Sequence, residues 1–118
     1  MLQISSTLKR GMDMKRIMVS NGLRGKENPK EYVERCRSAV DAYYSATGEA
    51  FERIDTFFTD FNGNRLQFLG KSISEGLALA DEVVFMDDWE KYDGCRAEHF
   101  IAAQYGVPCV YLSTDVVG

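Results

Sequence analysis

The stretch from Ala80 to Leu112 leaves this chain few folds to choose from. It reads as a buried strand from Glu82 to Met86, an acidic loop ending in Asp93-Gly94, a helix opening with Cys95-Arg96-Ala97-Glu98, and a second buried strand from Pro108 to Leu112. Short apolar runs bounded by turn residues suit the strands of a parallel sheet, where helices cover both faces. A strand, a crossover helix and a strand in this order build such a sheet, and its ligands lie beyond the carboxyl ends of the strands. The unit therefore predicts an α/β fold and places Glu98 at that rim.

The residues before it extend the same pattern. Lys15 to Ser20 (KRIMVS) is a first buried strand, followed by the loop SNGLRGKENP with two glycines, Ser20, Arg24 and Lys26. A glycine-bearing turn between a strand and a helix exposes backbone amides, so this loop is either an anion cradle or a plain turn with exposed basic residues. It is not a Walker A loop, because Glu27 stands where a Ser or Thr would hold magnesium. From Pro29 to Ala46, apolar residues at Tyr32, Val33, Cys36, Ala39, Val40, Tyr43 and Tyr44 recur at helical spacing, and Thr47-Gly48 is a stop. Its tyrosines suit a core or an interface better than a base-stacking platform. A short strand, Phe51 to Ile54, has polar residues that fit only an exposed edge. Phe57, Phe58 and Phe61 suit either an apolar cluster under a loop or an interface, Asn62-Gly63-Asn64 is a turn, and a helix runs from Arg65 to Leu79 with Leu66, Leu69, Ile73, Leu77 and Ala80 facing the sheet.

At 118 residues the chain has room for one core, assigned to 15–118, with 1–14 as a poorly ordered extension. Nothing in the first residues resembles a signal h-region or a membrane span. The net charge of −4 argues against direct nucleic-acid binding through a basic face. Three cysteines at spacings that no zinc site uses fit reduced thiols and a cytoplasmic location. Cys95, at a helix start where a thiol pKa can fall, is the one suspected of reactivity. With His99 as the single histidine, a histidine-rich metal site is ruled out, and neither a metal nor a cofactor is expected. A carboxylate site for magnesium at Asp87, Asp88 and Asp93 is disfavoured, since acids in a surface loop are usually solvated.

The loop before the last helix is acidic where a plain connector would only be polar: Asp87, Asp88, Glu90 and Asp93 crowd around Trp89. Such a loop suits a cationic or hydroxyl-rich ligand. Asp93 is expected to cap the helix, and Gly94 to let the backbone approach a ligand. Glu98 then lies just beyond the first turn, where the positive helix end favours its ionised form. It is either a base or nucleophile facing a cleft, or a solvated helix carboxylate.

The run LADEVVFMDDWEKYDGCRAEHFIAAQYGVPCVYL resembles the C-terminal half of the nucleoside 2-deoxyribosyltransferase-like superfamily, in particular a small branch with a Trp in the loop and Gly-Cys-Arg-x-Glu. VSNGLRGK is similar to the loop with which related 2-deoxynucleoside 5-phosphate N-hydrolases hold substrate. The resemblance implies a flavodoxin-like three-layer sandwich, with a parallel sheet of four or five strands in the order 2-1-3-4. It also implies cleavage of N-glycosidic bonds in (deoxy)nucleosides or nucleoside monophosphates, in a homodimer or larger homo-oligomer with sites completed by a neighbour. Glu98 corresponds to the nucleophile, and Ser20, Gly22, Arg24, Ser72, Asp87, Trp89, Asp93 and Gly94 to the substrate site. The chain departs from the pattern where transferases have an aspartate ahead of the third strand, for it has Ser72 or Ser74 there. A non-catalytic nucleotide-binding or adaptor module on the same fold is the alternative.

Overall fold

The computed structural model describes residues 14–115. The extension assigned to 1–14 therefore falls, apart from Met14, outside the described residues, as does the apolar end at 116–118. Four strands, β1 (Lys15–Ser20), β2 (Phe51–Ile54), β3 (Glu82–Phe85) and β4 (Cys109–Tyr111), form one sheet in the order β2-β1-β3-β4. Every adjacent pair is parallel. Helices α1 (Pro29–Thr47), α2 (Arg65–Glu75) and α3 (Asp93–Tyr105) make the crossovers. The expected flavodoxin-like arrangement and strand order are those of the chain.

Alternation along the strands divides the core into two layers. Ile17, Val19, Val84 and Met86 point to one face and pack with Tyr32, Cys36, Val40 and Tyr44 of α1. Met18, Val83 and Phe85 point to the other and pack with Leu77 and with Ala102 of α3. The chain leaves β1 toward β2 over the first face and later leaves β3 toward β4 over the second. The loops after β1 and β3 thus part to opposite sides of neighbouring strands, the switch point at which open α/β sheets form a crevice.

Local signals set the boundaries. Asn28 accepts from the amide of Glu31 to cap α1, Pro29 occupies its first turn, and Gly48 ends it in the left-handed region at φ 81°. Strand β2 is the polar edge expected, with Arg53 paired to Asp41 at 2.8 Å. Helix α2 departs from expectation at both ends. Asn64, read as part of a turn, forms a reciprocal cap with Gln67 at 2.7 and 2.8 Å. The helix stops at Glu75 rather than Leu79, and Leu77–Leu79 is a separate 3-10 turn. At Gly76 a Cβ would come within 2.6 Å of both the Ser72 carbonyl oxygen and the Thr56 methyl, so only glycine fits where the chain bends. Leu66, assigned to the sheet face, is 75% exposed, and Ser72 is the buried residue of α2. Tyr32 and Tyr44 are core residues, whereas Tyr43 is exposed.

Candidate functional site

A cavity of about 630 Å³ opens at the switch point. Asn21, Gly22, Leu23 and Arg24 of the loop after β1 form one wall. Tyr92, Asp93, Gly94, Cys95, Ala97 and Glu98, at the start of α3, form the opposite one. The apolar side comes from Phe57, Leu66, Phe68 and Leu69, with Ser72 deeper in α2. Phe58 and Phe61 back this side by packing edge-on against Phe68. The two glycine-marked loops thus meet at one rim of the sheet, as the sequence suggested.

The loops are locked together by a residue the sequence reading passed over. The Tyr92 ring lies flat against Gly22, where a Cβ would sit 2.2 Å from ring carbons, and its hydroxyl donates to the Arg24 carbonyl at 3.3 Å. Gly22 is required for this approach. A Gly in one loop and an aromatic in the other were visible in the sequence, but nothing there paired them. Across the mouth, Asp93 bridges Arg65 of α2 at 3.0 Å and Arg96 of its own helix. These two guanidinium groups hold its carboxyl below the usual range. Asp93 is the first residue of α3 and not its cap, which falls at Tyr92 without a side-chain bond. The reason is competition, since two full positive charges attract a carboxylate more strongly than helix amides do.

Glu98 lies in this cavity yet is 7% exposed. Ser20, the last residue of β1 and 2% exposed, donates to its Oε1 at 2.6 Å. Burial pushes the Glu98 carboxyl from 4.5 up to about 7, with the Ser20 hydrogen bond pulling the other way. The helix end was expected to help keep Glu98 ionised, an effect that fades within about one turn; more than a turn from the helix start, desolvation outweighs it. Cys95 is corrected likewise. It is buried, and burial raises its thiol to about 11, so it is neither exposed nor activated.

Of the predicted site residues, Gly22, Arg24, Ser72, Asp93, Gly94 and Glu98 line the cavity, and Ser20 lies behind Glu98. Asp87 and Trp89 are not brought to it. Asp87 turns to the C-terminal loop and accepts from the hydroxyls of Ser113, Thr114 and Tyr32 at 2.6, 2.7 and 3.0 Å. Trp89 stacks on His99, ring centres 4.2 Å apart, and packs on Phe85. His99 in turn meets the Tyr111 hydroxyl at 2.7 Å. The four acids of the loop diverge: Asp88 sits in the left-handed region at φ 56° with Lys91 3.7 Å away, and Glu90 is exposed. Of the two serines, Ser74 is exposed and only Ser72 faces the site. Among the described residues, no three His, Cys, Asp or Glu side chains are placed to hold a metal ion, and no helix is long and apolar enough to cross a membrane.

No family model, curated protein or solved structure matches the chain.

Proposed function

We propose that the chain cleaves the N-glycosidic bond of (deoxy)nucleosides or nucleoside monophosphates, by hydrolysis or by transfer to a second base, with Glu98 as nucleophile. The observation that carries this reading is a carboxylate in the cavity at the switch point, shielded from water and given one hydrogen bond by Ser20. A desolvated carboxylate with few donors is a strong nucleophile once ionised. Glu98 bonds to the anomeric carbon as the carbon–nitrogen bond breaks, and that electron pair leaves on the base, which takes a proton from water. Attack by water on the sugar then releases it and restores the carboxylate; attack by a second base gives a new nucleoside. The resemblance of Gly94-Cys95-Arg96-Ala97-Glu98 to the deoxyribosyltransferase-like pattern supports the assignment, and the cavity has the size of a small-molecule site.

Arg24 and Arg65 at the mouth suit an anionic or hydroxyl-rich end of the substrate, and the apolar side suits a base. A cytoplasmic homo-oligomer belongs to the same reading. Ser72, in place of an acid that would handle the leaving base, favours a second reading, a module that binds nucleotides without turning them over. A panel of ribo- and deoxyribonucleosides and their 5-monophosphates separates the two. The enzyme reading expects release of free base that Glu98→Ala abolishes while the protein stays folded. Binding without release across the panel establishes the second reading, and undiminished release by Glu98→Ala rules out the first.

A further inference from the structure

We infer that Ser20 is the positioning residue of Glu98: its hydroxyl anchors Oε1 and leaves Oε2 as the oxygen that meets the substrate. The inference rests on the glycosidase reading, and its argument is geometric. Ser20 ends β1, one of the two inner strands, paired with Phe85 of the other, and its carbonyl accepts the Met86 amide at 3.0 Å. Its Cα is therefore fixed by the two central strands. The same alternation that sends Met18 to the α3 face sends Ser20 there, directly behind Glu98. A serine has one hydroxyl proton, and at 2.6 Å that proton is committed to Oε1. Ser20 is thus not free to donate to a ligand, the role the sequence suggested for it, while holding Glu98.

Among the described residues Ser20 is the one hydrogen-bond donor Glu98 has. Without it, an unbranched carboxyl with three side-chain torsions would be neither oriented nor compensated for its burial. The titratable and charged groups around the pair are few. Cys95 of the same helix is a neutral thiol within hydrogen-bond reach of the Ser20 hydroxyl, and its S–H can donate to the Ser20 oxygen while the Ser20 proton goes to Oε1. Arg24, Arg65, Tyr92 and Asp93 line the cavity, with Arg65 and Asp93 paired to each other. Cys36 comes from the opposite face. None of these replaces the Ser20 hydroxyl at Oε1. The residue therefore does two things: it gives the side chain a direction, and it favours the charged form that the proposed chemistry uses.

The test is a carbon-13 titration of the Glu98 carboxyl, its signal identified by its loss in Glu98→Gln, in the wild type, Ser20→Ala and Ser20→Thr. The wild-type midpoint is expected near pH 7, that of Ser20→Ala about one unit or more higher, and that of Ser20→Thr, which keeps the hydroxyl, close to the wild type. If Ser20→Ala fails to fold, Ser20→Cys, with its weaker donor, takes its place and is expected between the two. A midpoint that stays put when the hydroxyl is removed or weakened overturns the inference, as does an equal rise in Ser20→Thr. In the base-release assay, Ser20→Ala is expected to lower kcat about tenfold at pH 7 with little change in KM, and to recover as pH rises. A loss confined to KM overturns the positioning role. A wild type that releases no base ends the glycosidase reading and the reactive role of Oε2 with it, while the titration separately decides whether Ser20 holds Glu98.

Discussion

Two carboxylates near the carboxyl ends of the strands, Asp87 and Glu98, are treated in opposite ways. Burial opposes ionisation of Asp87, but the hydrogen bonds from Ser113, Thr114 and Tyr32 together outweigh it and hold the group below the usual carboxylate range. Glu98 is buried more deeply with only Ser20 to compensate, and its carboxyl rises to about 7. The number of donors decides the outcome. Asp87 is a structural tie that fastens the C-terminal loop to β3 and α1. Glu98 is held at a cost, on the face where α2 and α3 leave a cavity between them. Where a fold fully satisfies an acid, that acid is fastening something; where it leaves one buried and under-satisfied beside a cavity, reactivity is the better expectation.

The largest effect should come from Glu98→Gln. Base release is expected to fall by roughly three orders of magnitude or more, read as kcat/KM on the best substrate of the panel. The same substitution should stabilise the protein. Between pH 4.5 and about 7 the folded protein binds more protons at Glu98 than the unfolded chain does, so stability falls as pH rises through that interval. At about 1.4 kcal/mol per pH unit the loss amounts to roughly 3 kcal/mol above pH 7. Urea unfolding should therefore find Glu98→Gln more stable than the wild type at pH 8 by a margin that shrinks toward pH 5. A margin independent of pH would mean that Glu98 titrates normally and that the contrast with Asp87 is lost.

Asp87→Asn sharpens the comparison from the other side. Removing the charge from three hydroxyl donors and the Thr114 amide is expected to cost about 2 kcal/mol at pH 7, with no direct effect on the cavity. A carboxyl held low contributes stability above its unfolded pKa and loses it as pH falls through the folded one. The deficit of the variant should accordingly narrow below about pH 4. Gly22→Ala should have a smaller effect, about 1 kcal/mol, because the half-exposed Tyr92 ring can swing away from the added methyl. That movement would free the Arg24 carbonyl and is visible as a change in tyrosine fluorescence anisotropy.

Periodicity and turn chemistry made the fold legible. β1 and β2 match their predicted bounds, and α1 differs by one residue at its end. That both loops open at the carboxyl rim followed from the β-loop-α-β order, and that β1 lies beside β3, which brings Gly22 and Glu98 together, followed from the strand order the resemblance implies. What stayed hidden depends on side-chain direction and on long-range partners. The acidic loop looked like one site, yet Asp87 and Asp93 are separately claimed by Ser113-Thr114 and by Arg65-Arg96, residues 26 or more positions away in the first case and 28 away at Arg65. Trp89 seemed to face a ligand because its partner His99, ten residues on, gave no sign of stacking. The helix position of Glu98, which favours its ionised form, is visible in a sequence, and the depth of burial that outweighs it is not. Leu77 and Ala80 keep helical spacing past Gly76, so the periodicity carries α2 too far, while the close approach of Gly76 to the Ser72 carbonyl and the Thr56 methyl is not visible in a sequence.

The central claim, that Glu98 attacks sugar from within this cavity, is tested most directly by acid-quenching the protein during turnover of the best substrate and mapping its peptides by mass spectrometry. The account predicts a glycosyl ester on the peptide carrying Glu98, absent from Glu98→Gln. Release of base with no adduct at any time of quenching, or with the adduct on another residue, would contradict it.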